Sequence, residues 1–247
     1  MEIRAPASDI VVSFIIPAHN EEALVAHAVG SVIESADAVG CQAYEVIVVD
    51  DASTDQTAEI AGSLGARVVS VNHRQIAATR NAGAKAARGK VLVFVDADTQ
   101  VRPGVLRAAF HVLSRGFVGG GSCIEIERPL PLYGVVIERV VQMFAPAVGL
   151  AGGCFFFCTR EAFESVGGFD SRLFAAEEVA LAKALSRIGR FIVLRQTVFT
   201  SGRKLRAHSA LEMLRTGLRI ARTGPTALHT RDGLEFWYGP REKPGKG

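Results

Sequence analysis

The sequence predicts an α/β fold in which a mostly parallel central sheet is flanked by helices. Three observations predict it. Short runs rich in Val and Ile, at 11–16, 44–49, 67–71 and 91–95, alternate with stretches of helical spacing at about 21–36, 55–64 and 75–88. The runs carry almost no polar residues, as strands do when helices cover both faces of their sheet. Polar residues instead collect directly after three of the runs, so that the strand ends form one rim.

Taken in order, the first run ends in Pro17-Ala18-His19-Asn20-Glu21, and the second in Asp50-Asp51-Ala52-Ser53-Thr54-Asp55. Ser53 or Thr54 suits the cap of the next helix, and Asp55 and Glu59 suit its first turn, where acids complement the helix dipole. Capping does not account for Asp50 and Asp51 together, because adjacent carboxylates repel unless donors or a cation lie nearby. The fourth run ends in Asp96-Ala97-Asp98. Side chains alternate along an extended chain, so Asp96 and Asp98 are expected to face one hard cation such as Mg2+ or Mn2+. Ligands of open α/β sheets bind outside the carboxyl ends of the strands, so three acid-bearing turns there define one crevice. Further along, 130–157 reads as a buried or interfacial helix followed by a strand, and 177–188 as a helix. Residues 209–222 read as a basic amphipathic helix, with Leu211, Leu214 and Leu218 on one face and Arg215, Arg219 and Arg222 on another.

With 247 residues, 49% of them hydrophobic and 21% charged, the chain is long enough for one large α/β domain or two small ones. Its net charge of +3 hides an asymmetry: residues 195–247 hold 11 Lys and Arg against 4 Asp and Glu, whereas 1–194 hold 17 against 21. An acidic body with a basic tail suits a phosphate-bearing ligand or an anionic membrane surface, and equally a solvated basic face. Nothing points to a nucleic acid. The cysteines Cys41, Cys123, Cys154 and Cys158 form no C-x-x-C pair. Cys154 and Cys158 are expected on one face of a strand, too far apart to bridge, which leaves reduced packing residues of a cytoplasmic protein. Residues 1–9 are polar and too short for a secretory leader, and no run of about 18 uncharged apolar residues offers a membrane span. Gly119-Gly120-Gly121 lacks the spacing of a dinucleotide loop. Residues 83–90 have one residue too many for a P-loop and Val91 where Ser or Thr is required.

Four ordered motifs, Val12-Ser13-Phe14-Ile15-Ile16-Pro17-Ala18-His19-Asn20-Glu21, Val48-Val49-Asp50-Asp51-Ala52-Ser53-Thr54-Asp55, Ala78-Thr79-Arg80-Asn81-Ala82-Gly83 and Val95-Asp96-Ala97-Asp98, resemble a family 2 glycosyltransferase with the GT-A fold. Gly152-Gly153 before Phe155-Phe156-Phe157, then Gly167-Gly168-Phe169-Asp170 and Ala176-Glu177-Glu178-Val179, resemble the acceptor half of that family. The likeness spans about residues 10–200. It implies a nucleotide-diphosphate sugar donor, with a UDP-sugar favoured and a GDP-sugar allowed, and a divalent cation, Mn2+ or Mg2+. It places Asp51 and the turn holding Pro17, Ala18 and Glu21 near the base and ribose, and Arg80 near the nucleotide. Asp96 is assigned to ribose or metal, and Asp98 is the principal protein ligand of the cation. Breaking the sugar–phosphate bond leaves extra negative charge on the diphosphate, which a bound cation stabilises as it develops. Mg2+ and Mn2+ need few protein ligands because phosphates and water complete their shells.

Where the family presents Glu-Asp, this chain has Glu177-Glu178, so the catalytic base falls on Glu178. A carboxylate one methylene longer serves if its backbone sits slightly farther from the acceptor hydroxyl. Both glutamates also suit an exposed first helical turn. A single displacement with inversion at the anomeric carbon follows from the resemblance. Two alternatives are a nucleotidyltransferase, whose Gly-rich basic loop is absent after the first strand, and a catalytically inactive relative that serves as a binding subunit.

By the same resemblance His208 is a candidate third metal ligand, and Arg203 and Lys204 are candidate diphosphate clamps. Gly153 and Glu177 are assigned to the acceptor or diphosphate side. The expected organisation is a tail at 1–9, a catalytic domain at 10–205 with a donor half (10–100) and an acceptor half (101–205), a basic amphipathic region at 206–238 and a disordered tail at 239–247. The acceptor is open between glycan, lipid and small molecule. The basic helix and the apolar segment 133–157 are compatible with peripheral contact at the cytoplasmic face of an anionic membrane, and equally with packing on the catalytic domain.

Overall fold

Four parallel strands, β1 (Val12–Ala18), β2 (Tyr44–Asp51), β3 (Arg67–Val71) and β4 (Val91–Val95), lie side by side in the order β3-β2-β1-β4. The computed structural model describes residues 11–148, 153–207, 212 and 228–231. The tail 1–9, the amphipathic helix 209–222 apart from Glu212, and the tail 239–247 lie outside the described residues.

Each strand feeds two cores because its side chains alternate and both faces are covered. Phe14, Ile16, Val46, Val48, Val93 and Val95 pack on one face, with Val25, Val29 and Val32 of α1 (Val25–Ala38). On the other face, Ile15, Ile47, Val49, Leu92 and Phe94 meet Ala77 and Ala84 of α3 (Ile76–Ala86). The short α2 (Thr57–Ser63) links β2 to β3. Gly83 lets α3 come down onto the sheet, since a Cβ there would stand 2.8 Å from Val49 and closer still to Ile15.

Beyond β4 the chain adds β5 (Thr99–Gln100), α4 (Pro103–Ser114), β6 (Phe117–Ile126), α5 (Leu132–Val148), β7 (Phe155–Thr159), α6 (Arg160–Ser165), α7 (Glu177–Ile188), β8 (Arg190–Thr200) and α8 (Arg203–Ala207). β7 runs antiparallel between β4 and β6, β8 runs parallel to β6, and β5 pairs antiparallel with β8. The result is a mixed eight-stranded sheet, β3-β2-β1-β4-β7-β6-β8-β5. α5 followed by β7 matches the helix and strand expected within 130–157. No helix among the described residues is long and apolar enough to cross a membrane.

Two sequence expectations are corrected. Cys154 and Cys158 do not share a face: Cys154 lies in the turn before β7 and packs against the core of Phe155 and Phe157, while Cys158 lies in the opposite core with Phe156. Alternation holds only within the strand, and Cys154 is outside it. Cys41, Cys123 and Cys158 are free thiols. Ser53 and Thr54 do not cap α2. Ser53 Oγ accepts the Asn20 N–H and the Thr54 N–H donates to Asn20 Oδ1, while Asp55 Oδ1 accepts the Thr57 N–H.

Candidate active site

The spatial order of the strands reverses beside β1, where α3 carries the chain from β3 back to β4, and the turns at the carboxyl ends of β1, β2 and β4 meet there. Pro17 and Ala18 are the last residues of β1, in register with Val49 and Asp50. The first two turns are stitched together: the Glu21 N–H donates to Thr57 Oγ1 at 2.7 Å, the Glu22 N–H to Asp55 Oδ2 at 3.2 Å, and His19 Nδ1 lies 2.8 Å from the Asp51 carbonyl.

Asp50 and Asp51 avoid one another because β2 continues through them and sends their side chains to opposite faces. Asp51 Oδ1 accepts the N–H groups of His73 and Arg74, and Oδ2 accepts the Gln75 N–H and the Thr79 hydroxyl. Burial pushes its pKa up, but these four donors outweigh it and hold the carboxyl below its ordinary value. With four bonds accepted, its oxygens are close to saturated, so Asp51 fixes the 73–75 loop that borders the crevice. Asp50 Oδ1 is buried without a hydrogen-bond partner among the described residues.

The Asp96 and Asp98 geometry differs from the expected extended one. β4 ends at Val95, the Thr99 N–H donates to the Asp96 carbonyl, and residues 96–99 turn. Each acid therefore meets its own arginine. Arg80 Nη2 reaches Asp96 Oδ1 at 2.8 Å, and Arg203 Nη2 reaches Asp98 Oδ2 at 3.3 Å. Arg203, at the start of α8, also grips both carboxyl oxygens of Glu21 at 2.5 Å. Burial alone would lower the pKa of Arg203, but Glu21 and Asp98 raise it instead. The side chain of Lys204, and His208 altogether, lie outside the described residues.

Arg80 joins the donor side to α7. It is buried on α3, donates to Glu177 Oε1 at 2.7 Å and to the Gly153 carbonyl at 3.0 Å, and stands 5.3 Å from the centroid of the Phe169 ring. Burial opposes its charge, but Asp96, Glu177 and Glu178 overcome that and raise its pKa. Glu177, half of the pair that also suited an exposed helical turn, is buried by this bond. Glu178 is only partly exposed, and its carboxyl is pushed up to about 7, by burial first and then by Glu177, against a lowering contribution from Arg80. Gly153 makes room for it: a Cβ there would stand 3.3 Å from the Glu178 carboxyl carbon.

Five carboxyl groups, Glu21, Asp96, Asp98, Glu177 and Glu178, thus gather around two guanidinium groups, Arg80 and Arg203. The excess is three negative charges. Such a surplus of carboxylates raises the proton affinity of its members, as at Glu178, and is relieved by a bound cation. Asp96 and Asp98 supply hard oxygens of the kind Mg2+ and Mn2+ take, so the donor set fits such an ion when phosphates and water supply the other ligands. Among the described residues no three His, Cys, Asp or Glu side chains converge to hold a metal unaided.

Backbone strain marks the same place. The non-glycine residues with left-handed backbones among the described residues are Asn20, Ala52, Arg74 and Ala176, each in a turn of this crevice. Sequence reasoning missed Gln75. Its side chain caps α3 by accepting the Ala78 N–H and donates to the carbonyls of Ser171 and Leu173, tying α3 to the loop before α7. A polar residue opening the helical spacing at about 75–88 was its only signal.

A model of the family described as Glycosyl transferase family 2 matches residues 13–165, more than half of the chain. An undecaprenyl-phosphate 4-deoxy-4-formamido-L-arabinose transferase of Edwardsiella ictaluri is 33% identical over 114 residues, covering 43% of this chain and 34% of the relative. The succinoglycan biosynthesis protein ExoO of Rhizobium meliloti is 37% identical over 108 residues, covering 41% and 30%. The chain spans about a third of the length of these relatives. Among solved structures, mannosyltransferase PcManGT from Pyrobaculum calidifontis in complex with GDP-Man and Mn2+ superposes with a TM-score of 0.65 at 25% identity, over 88% of this chain and 66% of that one. S. aureus TarS in complex with UDP-GlcNAc superposes at 0.58 and 20% identity, over 78% and 58%, a likeness of fold. The matched segment carries the β1, β2 and β4 turns, Arg80 and the Asp96–Asp98 pair on a GT-A sheet, and the chain belongs to glycosyl transferase family 2.

Proposed function

We propose that this chain is a divalent-cation-dependent, inverting glycosyltransferase that moves a sugar from a nucleoside-diphosphate sugar to an acceptor hydroxyl. The observation that carries the reading is the crevice's excess of three carboxylates over its guanidiniums, one of them, Glu178, held near neutrality. The presence of GDP-Man and Mn2+ in PcManGT and of UDP-GlcNAc in TarS supports a nucleotide-sugar donor and a cation. Either UDP or GDP fits the reading, and Mn2+ or Mg2+ fits the oxygen donors.

In this reading Asp98, with Asp96, holds the cation, which when bound supplies positive charge to the departing diphosphate. Pro17, Ala18 and Glu21 border the base and ribose side, and Asp51 shapes that side by fixing the 73–75 loop. Arg80 holds Asp96 and Glu177 in place. Arg203 stands over Glu21 and Asp98 and, with Lys204, is the candidate diphosphate clamp, while His208 is a candidate third metal ligand. Glu178 takes the proton from the acceptor oxygen as that oxygen bonds to the anomeric carbon, and the sugar–phosphate bond breaks with its electron pair leaving on the diphosphate. Gly153 leaves the Glu178 carboxyl open to the acceptor side. A base whose pKa is near 7 combines useful basicity with a substantial ionised fraction at neutral pH.

Glu178→Gln tests the assignment. Nucleotide binding is expected to survive while turnover, read as nucleoside diphosphate released in the presence of Mn2+, falls about 100-fold or more. Near-normal turnover dismisses Glu178 as the base. Pyrophosphate release from a nucleoside triphosphate and a sugar phosphate would favour a nucleotidyltransferase instead.

A further inference from the structure

Of the seven large apolar side chains exposed among the described residues, four lie on α5: Leu132 at 81%, Val136 at 54%, Val140 at 48% and Met143 at 65%. Their steps of four, four and three residues bring them onto one face of the helix. The other side of α5 is anchored by polar bonds. Glu138 is buried, accepts the Ile126 N–H and pairs with Arg128; Gln142 donates to the Ile124 carbonyl; the Tyr133 hydroxyl donates to the Leu205 carbonyl. These bonds hold α5 against β6 and α8 and turn the apolar ridge outward. A contiguous ridge of this kind, exposed on one helix, marks a contact surface.

We infer that this ridge docks the protein on an anionic lipid bilayer, with α5 lying in the interface. Charge selects that occupant. Arg139 is exposed next to the ridge, and Arg128, paired with Glu138 of α5, and Arg206, on α8 against which α5 packs, are exposed at 53% and 38%. A second copy of the chain would bring these arginines together across the contact, whereas anionic headgroups pair with them. α5 has 17 residues, and no described helix is long and apolar enough to span the bilayer, so the ridge rests on the surface. The position of α5 gives the contact a use, which rests on the transferase reading above. The helix ends at Val148, and five residues later the chain reaches Gly153, which abuts the Glu178 carboxyl. An acceptor carried on a lipid would therefore present its head group beside the proposed base.

Flotation of the full chain with vesicles of phosphatidylcholine alone, or with about one third phosphatidylglycerol, tests the inference. The wild-type protein is expected to float with the anionic vesicles and to be released as salt is raised. Leu132→Asp combined with Met143→Asp is expected to lower the bound fraction about tenfold with an unchanged melting temperature, because both side chains are exposed. Ile188→Asp, an exposed apolar residue on α7, is expected to bind as wild type. Failure to float with anionic vesicles, or equal binding by the double variant, overturns the inference. So does light scattering that shows a wild-type dimer split by the double variant, which would make the ridge an interface between copies. Nucleotide-induced thermal shifts on the same samples separate the two proposals: flotation without nucleotide binding condemns only the transferase reading, and nucleotide binding without flotation condemns only the membrane contact.

Discussion

Glu178 gives the sharpest residue-scale test because its chemistry and its cost to folding share one origin. The folded protein keeps its proton up to about pH 7, whereas an unfolded glutamate releases it near 4.5. The native state therefore binds more protons in this window, and stability falls as pH rises from 4.5 through 7. Glu178→Gln removes that dependence, so its gain over wild type should be small at pH 5 and on the order of 2–3 kcal/mol at pH 8 by denaturant titration. An equal effect at both pH values would mean that the carboxyl is not perturbed. Turnover of the wild type should rise with pH through the same region as the base ionises. Ala52 makes a second test: with φ at 55° it holds a conformation that glycine adopts freely, so Ala52→Gly should stabilise by up to about 1 kcal/mol and raise the melting temperature a few degrees. At this scale the sequence made Asp51, Asp96 and Asp98 legible as acids at strand ends. It did not disclose their partners, because Arg203 is 105 residues from Asp98 and 182 from Glu21, and only the folded chain brings them together.

At the scale of elements, β1 to β4 were legible because strands covered on both faces read as unbroken Val and Ile runs. β6 and β8 were not. β6 passes through Gly119-Gly120-Gly121, residues that weaken a strand unless something must come close, and at Gly120 a Cβ would stand 2.6 Å from the Phe157 ring. β8 carries exposed Arg190, Arg195 and Gln196, which break its apolar pattern. The elements that build the crevice are held by close contact and by buried charge. Gly83→Ala should cost about 1–3 kcal/mol by forcing α3 away from Ile15 and Val49. Arg80→Met should cost about 3–5 kcal/mol, since Asp96 and Glu177 lose the cation between them and α3 loses its link to α7. Urea denaturation measures both, and a loss below about 1 kcal/mol for Arg80→Met would show the ion pairs to be incidental.

For the whole molecule, the account rests on a strand-end crevice whose charge is completed by a ligand: a surplus of carboxylates, two fixed guanidiniums and a strand order that reverses between β1 and β4. The motif order alone carried the fold and the family, while the mixed sheet and the pairing of each acid with its own arginine needed the three-dimensional arrangement. The most direct measurement is thermal unfolding of the full chain across UDP- and GDP-sugars, with and without Mn2+, alongside Asp98→Asn. A ligand that binds only the native state raises its melting temperature, by roughly 5–10 °C at a hundredfold excess over Kd. The account predicts a shift with at least one nucleotide sugar that requires Mn2+ and disappears in Asp98→Asn; no shift with any nucleotide sugar, or one that is indifferent to Mn2+ and to Asp98, would contradict it.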